Sequence, residues 1–326
     1  MAEIIYTLQH GEIIVNGYAT TDITAEQIAQ WANYLTYVSA YAYGFTMEGE
    51  LIPIDDEEMI QNAFNTGVAP LMVVVPLNEY GEYSYELVNK VHTDPRMRDR
   101  LINNIVETVK AKHYYGAVYD FGYIPETIAD EFVITVSKTA ARLNRIGALM
   151  IVSLTPGLYD AGLDYESLGR AANFIELRAF HWEQVNEPPS AISPITRVRE
   201  MLSRISGLVD PRTILLGLTN YGLDWKTPFS ANSPAEMIPH IEAENQAIRI
   251  GAVPQYDAEL ESPHYTYTNE TGSRHEVWYE DERSTRVKLE LVGEYGLAGV
   301  SIWTIMSPFP AATQSIQEMY TVKKVL

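Results

Sequence analysis

The sequence has 326 residues, a length that suits one barrel of alternating strands and helices with an insertion, or two ordinary domains. Its formal net charge of -20 argues against nucleic acid and anionic membrane surfaces as partners, and the absence of cysteine excludes disulfides, thiol nucleophiles and thiolate metal sites. At 46% hydrophobic and 20% charged it carries apolar material for a large core, with no run of ~18 apolar residues for a membrane span.

The first residues, Met1 to Ile5, show neither a basic region nor a long apolar core, so no signal peptide is expected. Ile13 to Tyr18 reads as a short strand. Thr24 and Gln27 form a capping-box pair that opens a helix through Ile28, Trp31 and Leu35. Tyr37 to Phe45 is a second strand, Asp55 to Asn65 a helix, and Pro70 to Val75 an apolar strand of the kind buried on both faces. A helix from Arg96 to Lys112 follows, with Leu101, Ile105 and Val109 on one stripe.

Gly116 to Phe121 is the fourth strand, and it delivers one carboxylate, Asp120, just before Gly122. Helices over Glu126 to Arg145, Tyr165 to Ala172 and Pro194 to Ile205 alternate with strands over Leu149 to Leu154, Phe174 to Trp182 and Thr213 to Leu218. A helix lies within Ser233 to Ala247. The rhythm then breaks over residues 251–281, where alternating segments flank the turn Asn269 to Gly272. Glu282 to Tyr295 is a helix, Gly299 to Thr304 a strand, and Thr313 to Tyr320 a last helix.

The expected architecture is therefore an α/β fold, a (β/α)8 TIM barrel over residues 1–326. It carries a small α+β insertion, antiparallel over 251–281, between the seventh strand and its helix. No GxGxxG or GxxxxGK[ST] follows a strand, so nothing favours a nucleotide-binding sheet, and no nucleotide or other cofactor is expected. The histidines form no HxxxH or HExxH pair, no metal is expected, and no G-x-S-x-G elbow is present.

Active sites of such barrels lie at the C-terminal ends of the strands. There the sequence places Tyr18, Tyr43, Asp120, Gly122, Thr155, Phe180 to Glu183, Tyr221, Asp224, Trp225 and Trp303. An aromatic mouth with few carboxylates fits a neutral carbohydrate, held by stacking and a few hydrogen bonds. Most of the 22 tyrosines have the plainer role of core and rim packing.

Several stretches resemble the family 18 glycoside hydrolases, in the branch of LysM-associated spore-cortex and peptidoglycan N-acetylglucosaminidases. They are Leu215 to Trp225 (LLGLTNYGLDW), His275 to Ser284 (HEVWYEDERS), Gly296 to Trp303 (GLAGVSIW), Val15 to Tyr18 and Tyr115 to Pro125. Tyr6 to Glu12 resembles the first turn of a LysM module, but the rest of that module does not follow, and a plain N-terminal strand is the better account. The resemblance implies a substrate-assisted reaction on N-acetylated glycans. In it a glutamic acid protonates the glycosidic oxygen, the substrate's own N-acetyl group attacks the anomeric carbon, and an aspartate orients the acetamido group.

The family's fourth-strand pattern, D-x-x-D-x-D-x-E, falls here on Tyr115, Val118, Asp120 and Gly122, so only the orienting aspartate matches. On the sixth strand the family's M-T-Y reads Arg178-Ala179-Phe180, followed by His181. Several departures in one place look like a natural chain released from the demand for catalysis. Glu126 is a substitute acid on the same loop, with Glu131 and Glu183 further off, although helix capping explains Glu126 more simply.

The expected function is thus a catalytically degenerate family 18 protein that binds GlcNAc-containing glycan or serves a structural role. The alternative is an active N-acetylglucosaminidase with a non-standard acid such as Glu126. Tyr18, Tyr43, Phe180, Tyr221, Trp225 and Trp303 are the expected sugar-binding residues. The expected partners are an N-acetylated glycan and the proteins of a spore or phage assembly. Synthesis is expected in the cytoplasm, followed by deposition on a spore or in a phage or secretion particle.

Overall fold

The computed structural model describes residues 11–155, 162–180 and 186–326. Tyr6 to His10 of the LysM-like start, His181 and Glu183 lie outside the described residues.

Eight parallel strands form the centre: Glu12–Thr20, Tyr37–Phe45, Ala69–Val74, Gly116–Asp120, Leu149–Leu154, Phe174–Leu177, Ile214–Thr219 and Gly299–Trp303. Each pairs with the next, and the first pairs with both the second and the eighth, which closes the sheet into a barrel. The fold is the expected (β/α)8 barrel. Closure removes the strand edges that an open sheet would leave exposed.

Alternation along each strand sorts side chains into two shells. Ile14, Tyr37, Leu71, Val118, Ile151 and Leu215 fill the barrel interior. Val15, Val38, Met72, Ala117, Met150 and Leu216 face outward against helix stripes such as Leu101, Ile105 and Val109. A polar layer crosses the interior, where Asn16 Nδ2 donates to Ser301 Oγ at 3.0 Å and Ser39 Oγ donates to Asn16 Oδ1 at 2.8 Å.

The helices begin where the local chemistry starts them. Thr24 and Gln27 make the expected capping box before Ala25–Trp31. Asp94 accepts from the backbone N–H groups of Arg96 and Met97 and is followed by Pro95, which opens Pro95–Ala111. A further helix, Tyr85–Thr93, precedes it and is capped by Ser84. Among the described helices none is long and apolar enough to cross a membrane.

The insertion is larger than the expected 251–281. It begins at Tyr221, directly after the seventh strand, and builds a five-stranded antiparallel sheet. Its strands are Tyr221–Thr227, Glu236–Pro239, Gln255–Asp257, Ser262–Thr268 and Arg274–Trp278. The helix expected within Ser233 to Ala247 runs instead over His240–Ile250, because Glu236–Pro239 pairs with Tyr221–Asp224 and holds that stretch extended. At the hairpin tip, Gly272 takes φ +81°, a conformation that favours glycine, and its N–H donates to Asn269 O at 3.0 Å. Lys288, buried in helix Glu282–Tyr295, donates to the equally buried Glu280 at 2.6 Å, which ties the insertion's last turn to the barrel.

Candidate functional site

The fourth strand turns Gly116, Val118 and Asp120 inward, and Asp120 ends it at the barrel mouth with 3% of its surface exposed. Its partner is Arg178, from just beyond the sixth strand, which donates through Nη2 to Asp120 Oδ2. The same guanidinium stands over the Trp303 ring, 5.6 Å from its centroid, and its Nε lies 3.9 Å from Glu176 Oε1. Burial works against the charge on Arg178, but Asp120, Tyr18 and Glu176 outweigh it and push its pKa up. Main-chain geometry fixes the base of this arginine, whose N–H donates to Leu154 O at 2.8 Å.

Glu176 lies one inward position deeper and is buried. It accepts from Tyr18 Oη at 2.8 Å and from Ser153 Oγ at 3.1 Å. Desolvation raises its pKa, and Arg178 opposes that shift. Two carboxylates thus share one arginine inside the barrel, an arrangement in which each charge needs the other.

Gly122 has φ +63°. A Cβ built on it would lie 3.2 Å from Tyr83 Oη. Tyr83 comes from the loop after the third strand and donates its hydroxyl hydrogen to Phe121 O. That loop is a tight turn: Asn78 Oδ1 accepts from the N–H groups of Tyr80 at 2.9 Å and Glu82 at 3.0 Å, and Leu77 bridges to Tyr83. Burial raises the pKa of Tyr83 well above the usual tyrosine range, with Tyr85 and Asp120 adding to it.

The expected sugar-lining residues separate. Trp303 is partly exposed at the mouth, edge-to-face with Tyr41 at 4.8 Å and tilted against Tyr18 at 5.3 Å. Tyr18 lies beneath it, only 1% exposed. Tyr43 does not reach the mouth. Its ring is in the outer shell, and its hydroxyl donates to the buried Asp56, which also takes Tyr114 and Lys112. The register of the second strand shifts between Ala40 and Tyr43, so the alternation flips and Tyr41 faces the mouth in its place.

Phe180, Tyr221 and Trp225 are buried together where the barrel meets the insertion. Trp225 is wholly buried, and its Nε1 donates to Glu187 O at 2.9 Å. Asp224 also belongs to the insertion, where it accepts from Tyr267 Oη at 2.6 Å and meets His275 Nδ1 at 2.8 Å. Glu126 is exposed in a single 3-10 turn, Glu126–Ile128, with its Cγ against Gly162. Among the described residues no group of three His, Asp or Glu side chains is gathered as for a metal ion.

Four mouth features escape a reading of the sequence: Tyr41, Tyr83, Glu176 and the bond from Arg178 to Asp120. Strict alternation from the inward Tyr37 names Tyr41, and alternation from Arg178 names Glu176. Tyr83 gives no such signal, since its contact with Gly122 joins two loops.

A family model described as glycosyl hydrolases family 18 matches residues 79–307. The chain is 29% identical over 299 residues to a cortical fragment-lytic enzyme of Bacillus anthracis, covering 89% of this chain and 69% of that one. The crystal structure of the spore cortex-lytic enzyme SleL of Bacillus megaterium QM B1551 superposes with a TM-score of 0.90 at 28% identity, over 97% of this chain and 76% of SleL. A tobacco class V chitinase solved in complex with NAG4 shares the fold, with a TM-score of 0.77 at 17% identity over 93% of this chain and 99% of its own.

Proposed function

This chain belongs to the family 18 glycosyl hydrolases, and on that premise we propose that it is a non-cleaving member that holds an N-acetylated glycan at its barrel mouth. The observation that carries the reading is Gly122: the position expected to supply the proton donor has no ionisable group. Its φ of +63° and the neighbouring Tyr83 hydroxyl leave no room for a donor there without rearrangement. Loss of a general acid alone lowers a rate by ~10²–10⁴, or ~3–5 kcal/mol of barrier.

A second observation supports it. Asp120, in the acetamide-orienting position, is engaged by Arg178 through Oδ2, so a sugar amide would have to share this carboxylate with a cation. Binding is a separate matter from cleavage. Trp303 and Tyr41 are partly exposed at the mouth, in an aromatic surround of the kind that holds pyranose rings. The relatives' names support a peptidoglycan of the spore-cortex type as the ligand, and a spore as the setting.

The test is incubation of the whole chain with a chromogenic GlcNAc oligomer and with spore-cortex peptidoglycan. We expect binding by calorimetry and no release of product. Turnover at rates near those of an active relative would overturn the reading in favour of a hydrolase with an unconventional acid.

A further inference from the structure

We propose that Arg178 is a built-in occupant of the deepest sugar position, and that it displaces glycan recognition outward onto a rim of tyrosines. This rests on the reading of the mouth as a glycan site. A pyranose entering an aromatic mouth needs a ring to stack on and a carboxylate or amide to accept its hydrogen bonds. At the floor those two groups are Trp303 and Asp120. One side chain engages both: the Arg178 guanidinium stands 5.6 Å from the Trp303 centroid, within reach of a cation–π contact, and donates to Asp120 Oδ2.

The arginine is firmly placed. Glu176 Oε1 lies 3.9 Å from its Nε, so two carboxylates face one cation. Gly217 on the seventh strand lets its main chain come close, since a Cβ there would lie 3.1 Å from Arg178 Cα and 2.9 Å from Leu177 O. A sugar that pushed Arg178 aside would strand the buried Asp120 carboxylate without a partner.

The exposed aromatic surface lies further out. Tyr80, Tyr83, Tyr85 and Tyr123 are 85%, 39%, 63% and 41% exposed. The rings of Tyr83 and Tyr85 meet edge-to-face at 5.1 Å, and the bond from Tyr83 to Phe121 O joins their loop to the one that carries Tyr123. Such a rim suits several consecutive pyranose units better than a single residue. The exposed Glu79 and Glu82 of that loop, and Glu86 in the first turn of the helix that follows, disfavour anionic units, so the rim takes the neutral N-acetylglucosamine units of such a glycan.

The experiment is calorimetry of the whole chain with the dimer and the hexamer of N-acetylglucosamine. The proteins are the unaltered chain, Tyr85→Ala, and the double variant Asp120→Asn with Arg178→Met, which removes both charges together. Near-UV circular dichroism checks that each is folded. We expect the unaltered chain to bind the hexamer at least about tenfold more tightly than the dimer, and the double variant to gain about tenfold for the dimer. Tyr85→Ala should lose about tenfold for the hexamer and leave the dimer unchanged.

The inference is overturned if the unaltered chain binds dimer and hexamer alike, if the double variant gains nothing for the dimer, or if Tyr85→Ala leaves the hexamer affinity intact. Failure of the underlying glycan reading has a different signature, in which no protein in the set binds any oligomer.

Discussion

Tyr83 donates its hydroxyl hydrogen to the carbonyl oxygen of Phe121, and so its ring lies against Gly122. The space beside the end of the fourth strand is therefore used by a side chain from the neighbouring loop. A missing acid alone would leave a gap that one substitution refills. Here the backbone at φ +63°, the Tyr83 ring and the buried Arg178–Asp120 pair all stand around that position.

The first prediction follows from that arrangement. Gly122→Glu combined with Phe180→Tyr restores the two residue types expected from the family, yet it should give no turnover of a chromogenic GlcNAc oligomer. A non-glycine residue at φ +63° costs ~1–2 kcal/mol, and the new Cβ sits 3.2 Å from Tyr83 Oη. The variant should unfold at lower denaturant concentration than the unaltered chain. Robust turnover would show that backbone and ring give way easily, and would sink this account of the site.

The second prediction concerns the ion pair. Asp120 is 3% exposed and Arg178's side chain 21% exposed, so neither charge is well served by water once its partner is gone. Arg178→Met should destabilise the chain by ~3 kcal/mol, and Asp120→Asn by a similar amount. The double variant should cost clearly less than the sum, giving a coupling of ~1–3 kcal/mol in a denaturant double-mutant cycle. Additive losses would mean that the two side chains do not depend on each other.

The barrel was legible because each of its eight strands is a short apolar run between helix signals, and burial on both faces demands such runs. The first helix was legible through Thr24 and Gln27. Tyr43 was misplaced because a shift of register between Ala40 and Tyr43 breaks the alternation on which placement depends. The sequence suggests a strand end at Tyr221 and Trp225 and so places them at the mouth. Their own alternation, with Tyr221, Leu223 and Trp225 all buried, is that of a new strand in the insertion. The bond from Tyr83 to Phe121 joins residues 38 apart through loop geometry, which no local pattern encodes.

Acid should destabilise the fold through His92. Its side chain is buried against Phe121 and Phe132. Thr135 Oγ1 donates to Glu131 O, so it accepts from His92 Nδ1 at 2.9 Å, which places a proton on Nδ1. Burial, helped by Arg98, pushes the pKa down to about 3. The folded value lies below the unfolded one, so the unfolded chain takes up the proton first. This contribution is constant above pH ~6.5 and falls by ~1.4 kcal/mol per pH unit as pH drops below it. His92→Gln should flatten the difference in unfolding free energy between pH 7 and pH 5. An unchanged slope in the variant would remove His92 from the account.

Trp225 and Trp303, alike in the sequence as candidate sugar-binding residues, differ in the fold. Trp225 is wholly buried and donates to Glu187 O, whereas Trp303 is partly exposed beneath Arg178 and beside Tyr41. Removing Trp225 empties a packed site between barrel and insertion and strands a backbone acceptor, so Trp225→Ala should cost ~3–5 kcal/mol of stability. The fraction that remains folded should bind glycan as before. Trp303→Ala takes away one side of the arginine's seat, so it should act mainly on how the mouth binds, with the smaller loss of stability. The comparison needs a urea melt and a hexamer titration of each variant. If Trp225→Ala abolished binding while leaving stability intact, the buried aromatic cluster would have to be reread as part of the groove.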